Sequence, residues 1–326
     1  MEYRQLARTD LKVSRVCFGT MTFGRPVDQI TGGRMIERCM EAGIDFFDTA
    51  NAYQSGEAER ILGNALLGKR KGVVLSTKVW HKMGEGPDES GLSRAAILRQ
   101  AEESLRRLQT DYLDIYFMHR PDYAVPIEET LEAMDTLVRQ GKIRYVGTSN
   151  YAAWQICEML WHSEKNGRRP PLIAQPMYNL VARGIEQEYL PMAEHLGVST
   201  IAYNALAGGL LTGKHSPGTY TPGGRFDAAF WGSSLYRGRY WHPQTFAAVD
   251  ALKKVAADAG RSLSSLAINW LLHHTAADSV LLGASRMEQL EQNLAICEEG
   301  PLSPETVKAC DEVWQDFRGP IPVYNQ

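Results

Sequence analysis

Residues 111–147, DYLDIYFMHRPDYAVPIEETLEAMDTLVRQGKIRYVG, contain one complete strand–helix–strand unit. Leu113–Phe117 is a short apolar run without alternation, the pattern of a strand covered on both faces of a parallel sheet. Pro126 opens a helical pattern over Ile127–Gln140 at a position where a missing N–H costs little, and Gly141 follows as a C-cap. Ile143–Gly147 is then a second apolar run.

The same alternation extends in both directions. Further strand-like runs lie at Cys17–Gly19, Ile44–Phe47, Val73–Thr77, Leu172–Ala174, Ser199–Ala202 and Ser279–Leu282. Helical patterns fall at Glu57–Leu67, Ser93–Leu108, Ala152–Lys165, Gln187–Leu196, Gln244–Ala259, Leu263–His273 and Met287–Ala295. In Ser93–Leu108, Ile97, Ala101, Leu105 and Leu108 form one apolar stripe at 3–4 residue spacing. Successive strands are about thirty residues apart, a usual βα repeat. Eight strands, each followed by a helix, fit a closed (β/α)8 TIM barrel better than an open sheet. A short hairpin, Tyr3–Leu6 and Val13–Val16 around Arg8-Thr9-Asp10, precedes it, and Pro304–Phe317 is an extra C-terminal helix. Length alone suggests roughly two domains, but no repeat or Pro/Gly/Ser linker divides the chain. Residues 1–326 therefore read as a single domain, with a long Gly-, Pro- and aromatic-rich rim segment at Asn204–His242.

Composition narrows the function. Lys and Arg number 35 against 38 Asp and Glu, a net charge of −3, with 44% hydrophobic and 22% charged residues. These values exclude a disordered or collagen-like chain and give no basic footprint for nucleic acid. The cluster Lys69-Arg70-Lys71, beside two glycines, reads as a solvated turn. Cys17, Cys39, Cys157, Cys297 and Cys310 are scattered, with no Cys-x-x-Cys, so neither a disulfide framework nor a zinc site is expected. No histidine pair has metal-ligand spacing on one helix face. The start, MEYRQLARTD, has no apolar signal core, and no run approaches the ~20 apolar residues of a membrane span. The expectation is a cytoplasmic protein without membrane, nucleic-acid or metal partners.

In a barrel of this kind the loops after the C-terminal strand ends build the site. The polar residues there are Asp48 and Tyr53 after the second strand, Lys78 after the third and His119 after the fourth. Ser149-Asn150, Gln175, Tyr203 and Gly283-Ala284-Ser285-Arg286 follow on later strands. Taken singly, each has a structural reading: a loop cap, a half-exposed ring, a snorkelling lysine, a satisfied core histidine. Together, an acid, a phenol, an amine and an imidazole at three adjacent strand ends converge on one pocket. A phenol with an ordinary pKa of about 10 becomes a useful proton donor when an ammonium stabilises its anion. A carboxylate holds that ammonium in place, and an imidazole orients a carbonyl. The set can protonate a developing alkoxide but contains no hydride source.

The motifs FGTMTFG, GIDFFDTANAYQSGEAERILGNAL, STKV, DYLDIYFMHRPD, GKIRYVGTSNY, AQPMYNL, GGLLTGK and VLLGASRMEQLEQN, in this order, resemble the aldo-keto reductase family along nearly the whole chain. In style they are similar to bacterial members related to potassium-channel β-subunits. The resemblance implies reduction of an aldehyde or ketone with hydride from nicotinamide C4 of NADPH, with Asp48, Tyr53, Lys78 and His119 catalytic and no metal. It implies that Ser149, Asn150 and Gln175 hold the nicotinamide carboxamide and that Tyr203 stacks on its ring. Leu206, Gly208, Leu210 and Lys214 would line the pyrophosphate path, and Ser285, Arg286, Gln289 and Asn293 the adenosine half. Gly19, Thr20, Asn204, Arg225, Gly283 and Gln292 complete the implied cofactor contacts. The guanidinium of Arg286 suits a 2′-phosphate, which favours NADP over NAD.

Other features bear on this reading. GGLLTGKH is one residue short of a P-loop, with His215 in place of the magnesium-binding Ser/Thr, which excludes an NTPase. Relatives commonly carry Ser-Pro where this chain has Asn204-Ala205, so a looser cofactor loop is expected. Trp80, Tyr123 and Trp231, with Phe226, Phe230, Tyr236, Tyr240 and Trp241, read either as walls of an aromatic substrate pocket or as packing on the barrel rim. A small carbonyl compound is the expected partner, and a homo-oligomer is compatible with the sequence. The rival reading is a cofactor-binding regulatory subunit of a membrane channel. His119 weighs against it, because channel subunits resembling this chain carry an amide there.

Overall fold

The hairpin at the start forms as β1 (Tyr3–Gln5) paired antiparallel with β2 (Lys12–Ser14). The computed structural model describes residues 1–220, 222–230 and 232–321. After the hairpin come β3 (Val16–Gly19), β4 (Phe46–Asp48), β5 (Val74–Val79) and β6 (Leu113–Met118). They are followed by β7 (Ile143–Ser149), β8 (Pro171–Gln175), β9 (Ser199–Ala202) and β10 (Ser279–Leu282). These eight strands close into a parallel barrel in the order β10-β3-β4-β5-β6-β7-β8-β9. The architecture is a (β/α)8 barrel.

Several strands run further than their apolar stretches. β5 continues through Lys78, where it pairs with Phe117, and the last rung of β7 and β8 is Ser149 opposite Gln175. The polar residues at these ends therefore sit on ladder backbone rather than on loops, which fixes their Cα positions. Inside the barrel Phe46, Val74, Ile115, Phe117, Ile173 and Ile201 form the core, joined by Leu6, Leu11 and Val13 of the hairpin segment. The hairpin segment thus covers the barrel end where the strands begin. Each such fully buried side chain contributes about 1.5–3 kcal/mol. Gly147 is required by this packing, because a Cβ there would fall 2.3 Å from the Phe117 ring.

Two helices escape sequence reading. α1 (Gln29–Glu41) contains Gly32-Gly33, each costing about 1 kcal/mol relative to Ala. Asp28 caps it, accepting from Thr31 N at 2.7 Å. Gly32 is buried because Ile61 of α2 (Glu57–Ala65) lies against it. The helices α3 (Arg94–Leu108), α4 (Ile127–Arg139), α5 (Ala153–Lys165) and α6 (Tyr189–Leu196) follow their expected positions closely. The second escape is α7 (Ser233–Tyr240), inside the long rim segment. Its Tyr236 packs on Phe226 and Phe230 of the same segment, and no periodic apolar stripe announces it.

Contacts group the described residues into two compact units. The first, Met1–Pro176, Glu188–Ile201 and Asp278–Gln292, carries the barrel strands and α1–α6. The second, Met177–Gln187, Ala202–Ala277 and the described residues from 293 to 321, carries α7, α8 (Pro243–Asp258), α9 (Leu263–His274) and α11 (Pro304–Arg318). Within it α11, the extra C-terminal helix, packs on α8. The helix α10 (Met287–Glu298) starts in the first unit.

Candidate active site

Adjacent strands β4, β5 and β6 place Asp48, Lys78 and His119 side by side. Asp48 and Lys78 are each 1% exposed and form a buried ion pair, Nζ donating to Oδ2. Nζ also donates to the Thr49 carbonyl at 2.7 Å. The other carboxylate oxygen, Oδ1, accepts from Ser76 Oγ at 2.7 Å and from Gln175 Nε2 at 3.2 Å. Both charges are thus held on several sides, as a buried pair must be. Burial pulls the Lys78 ammonium down, but the charge of Asp48, then that of Tyr53, outweighs it and holds the group above its ordinary value.

Tyr53 begins a short 3-10 turn, Tyr53–Gly56, whose next three residues are left-handed: Gln54 at φ 48°, Ser55 at 54° and Gly56 at 91°. Left-handed non-glycine residues cost of order 1–3 kcal/mol each and persist only where surroundings impose them. The turn brings the Tyr53 ring centroid to 5.3 Å from Lys78 Nζ. The His119 ring lies edge-on to Tyr53, centroids 6.0 Å apart. His81 packs edge-on against His119 at 4.8 Å. The His119 backbone is anchored by its N–H to Val79 O and by its carbonyl, which accepts from Asn150 Nδ2, both at 2.9 Å. Its Nδ1 is buried and has no hydrogen-bond partner among the described residues. Burial, then the Lys78, His81 and Arg120 charges, holds the imidazole well below its ordinary pKa, so the ring is neutral. The arrangement offers a phenol beside a fixed ammonium and a neutral imidazole next to it.

Near these groups Ser149 Oγ donates to the Gln175 carbonyl at 2.9 Å, and both residues are buried. Asn150, at φ 63°, is exposed. Gly19 pairs with Asp48 in the β3–β4 register, and Thr20 N donates to Asp48 O at 2.9 Å. Gly283 approaches the Gly19 carbonyl so closely that a Cβ would fall 3.2 Å from it. Ser285 donates through N and Oγ to Gln289 Oε1, at 2.9 and 2.8 Å. Arg286 and Gln292 are exposed, and the Arg286 guanidinium approaches Glu288 only to 3.9 Å.

In the second unit Tyr203 bridges to Met177, and Leu210 is buried while Lys214 is exposed. Leu206 and Asn293 are partly exposed. Asn204, at φ 67°, accepts from Gly208 N at 2.8 Å and donates to Tyr240 Oη at 2.7 Å. Where a proline would restrict the loop, the Asn204 amide instead bonds to Gly208 N and Tyr240 Oη. Gly208 at φ 68° and Gly209 at 101° take conformations open to glycine. His215 is buried against Phe226 and Trp241, with no helix following Lys214 as a P-loop would require.

The aromatic segment divides. Phe226 and Tyr236 are buried edge-on against each other within the rim segment, Tyr240 is buried with its hydroxyl accepting from Asn179 and Asn204, and Arg225 lies over the Phe230 and Tyr236 rings. Tyr123 is 85% exposed, and Trp80 is partly buried with Arg120 over its ring at 4.3 Å. Trp231 lies outside the described residues. Sequence reading missed Ser76 and His81. Ser76 has a detectable signal, since its two-residue spacing from Lys78 puts both on one strand face. His81 has none, because its contact with His119 is made across strand ends. No described helix is long and apolar enough to cross a membrane.

A buried carboxylate–ammonium pair under a phenol and a neutral imidazole, at adjacent strand ends of a (β/α)8 barrel, defines a class of barrel oxidoreductases. The aldo/keto reductase family matches residues 15–315, and the chain belongs to that family. It is 38% identical over 323 residues to aflatoxin B1 aldehyde reductase member 2 of Rattus norvegicus, covering 94% of this chain and 86% of that one. It is 36% identical over 321 residues to a probable voltage-gated potassium channel subunit beta of Oryza sativa subsp. japonica, covering 97% of each. An uncharacterized oxidoreductase of Bacillus subtilis is 34% identical over 336 residues, covering 99% of this chain and 98% of that one. The protein is an aldo-keto reductase, an oxidoreductase of carbonyl compounds.

Proposed function

We propose that the protein reduces an aldehyde or ketone to the alcohol with NADPH, Tyr53 giving the proton. The observation that carries this is the Tyr53 ring held 5.3 Å from the Lys78 ammonium, itself paired to Asp48. Bound NADPH supplies hydride from nicotinamide C4. The residues present fit such a dinucleotide: the amides of Asn150 and Gln175 suit a carboxamide, and the exposed, loosely paired Arg286 suits a phosphate.

The chain's own part is proton handling and orientation. Tyr53 Oη holds the proton that the substrate oxygen takes. Lys78 stabilises the phenolate left behind, and Asp48 keeps that ammonium charged and in place. His119, being neutral, hydrogen-bonds the carbonyl oxygen without competing as an acid. The aldehyde-reductase relatives support an aldehyde substrate, and the imidazole at 119 supports turnover over a purely regulatory role. The test is NADPH oxidation against sugars, aromatic aldehydes and short dicarbonyls, beside NADH. Tyr53→Phe is expected to bind NADPH with little change and to lose reduction, and undiminished turnover in that variant refutes the assignment.

A further inference from the structure

Outside the barrel wall, behind the reacting groups, lies a second buried ion pair that the proton chemistry does not use. Glu59 of α2 is 0% exposed and Arg107 of α3 is 8% exposed. Arg107 Nε donates to Glu59 Oε2 at 2.5 Å, and its Nη2 donates to Ser104 Oγ at 3.3 Å. The remaining carboxylate oxygen, Oε1, accepts from Thr77 Oγ1 at 2.6 Å. Thr77 immediately precedes Lys78 on β5, and its side chain points outward where that of Lys78 points in.

The same pair touches the other reacting residue from the opposite side. Gly56, which ends the left-handed turn begun by Tyr53, is pressed against Arg107. A Cβ on Gly56 would fall 2.7 Å from Arg107 Cδ and 3.0 Å from its Nε. Two left-handed non-glycine residues in succession, Gln54 and Ser55, do not hold themselves. Here the turn is backed by the arginine stem, and the arginine is locked by a carboxylate on the helix that the turn leads into. One carboxylate therefore references two backbone segments, the Lys78 strand through Thr77 and the Tyr53 turn through Arg107.

We propose that the Glu59–Arg107 pair is a positioning element that sets the distance between the Tyr53 phenol and the Lys78 ammonium. The proposal rests on the proton-donor reading of Tyr53 but is measured apart from it. Loss of the pair lets the turn relax, the phenol moves away from the ammonium, and its anion loses stabilisation. The phenol then ionises at higher pH while the cofactor surface is untouched.

The test is ultraviolet difference titration of the cofactor-free protein, with Tyr53→Phe subtracted to isolate the Tyr53 step, together with kcat–pH profiles. In Arg107→Met the Tyr53 step is expected to rise by about one pH unit or more. kcat is expected to fall about 10- to 100-fold, with the NADPH Kd within about twofold of wild type. Arg107→Lys, which keeps the charge, restores part of both. Thr77→Val removes only the hydroxyl on Glu59 and moves both readouts the same way by less, so it decides the matter if Arg107→Met does not fold. A folded variant with an unmoved Tyr53 step overturns the proposal, as does a loss of kcat that tracks thermal stability alone. Wild-type protein that oxidises no NADPH with any carbonyl refutes the reductase reading, and the difference titration still reports on the pair.

Discussion

Lys78 Nζ lies 5.3 Å from the centroid of the Tyr53 ring while its protons go to the Asp48 carboxylate and the Thr49 carbonyl. The ammonium is charged in a buried place because Asp48 outweighs burial. Asp48→Asn removes that charge and leaves burial unopposed, so Lys78 loses its proton at lower pH. The alkaline limb of kcat is expected to move down by about one pH unit or more. At neutral pH, kcat falls about 10- to 100-fold with NADPH binding kept. A kcat–pH profile and a fluorescence titration of NADPH check both.

His119 gives a prediction of opposite sign. Its folded pKa lies well below the ordinary 6.5, so the unfolded chain takes up the proton first as pH falls. Stability associated with the neutral ring is whole above 6.5 and is lost as pH drops below it. His119→Gln makes the acid-side decline shallower, by up to about 1.4 kcal/mol per pH unit. Urea unfolding at about pH 7.5 and 5.5 measures this.

Gly147 faces the Phe117 ring with no room for a methyl group. Gly147→Ala is expected to cost about 1–3 kcal/mol through overpacking of the barrel interior. Thermal denaturation checks it, and Phe117→Leu in the same chain is expected to recover part of the loss.

Asn204 holds its loop through two hydrogen bonds, to Gly208 N and Tyr240 Oη. Asn204→Ala costs about 1 kcal/mol of stability. It also weakens NADPH binding by about 3- to 10-fold, since the glycine turn is no longer held. Calorimetry on the free protein and an NADPH titration separate the two effects.

Arg286 is exposed and its nearest acid, Glu288, is 3.9 Å away. A guanidinium so little committed is available to a 2′-phosphate. Arg286→Ala is expected to raise the KM for NADPH about 10-fold or more while that for NADH changes little. Equal effects on both cofactors point to a different ligand for this side chain.

The unit at residues 111–147 was legible because strand, helix and turn each carry local signals: an apolar run, Pro126 at the start and Gly141 at the end. α1 was not, because Gly32-Gly33 argues locally against a helix, and Ile61, which requires a small residue there, is far along the chain. α7 was not either, because its ring Tyr236 packs on Phe226 and Phe230 in an irregular segment that carries no helical apolar stripe. Phe226 and Tyr240 of that segment are buried, which its irregular composition does not announce.

By itself, then, the sequence determined the eightfold alternation and the residue types at the strand ends, since both follow from local periodicity and composition. Asp48, Tyr53, Lys78 and His119 were all readable as types at positions. Only tertiary structure decided their state. The charge on Lys78, the neutrality of His119 and the Ser76 and Gln175 bonds to Asp48 depend on burial and on neighbours contributed by other strands. The Glu59–Arg107 pair belongs there too: 48 positions separate its members, and no periodicity joins them. Ionisation and distance arise between segments, where a one-dimensional pattern carries no information.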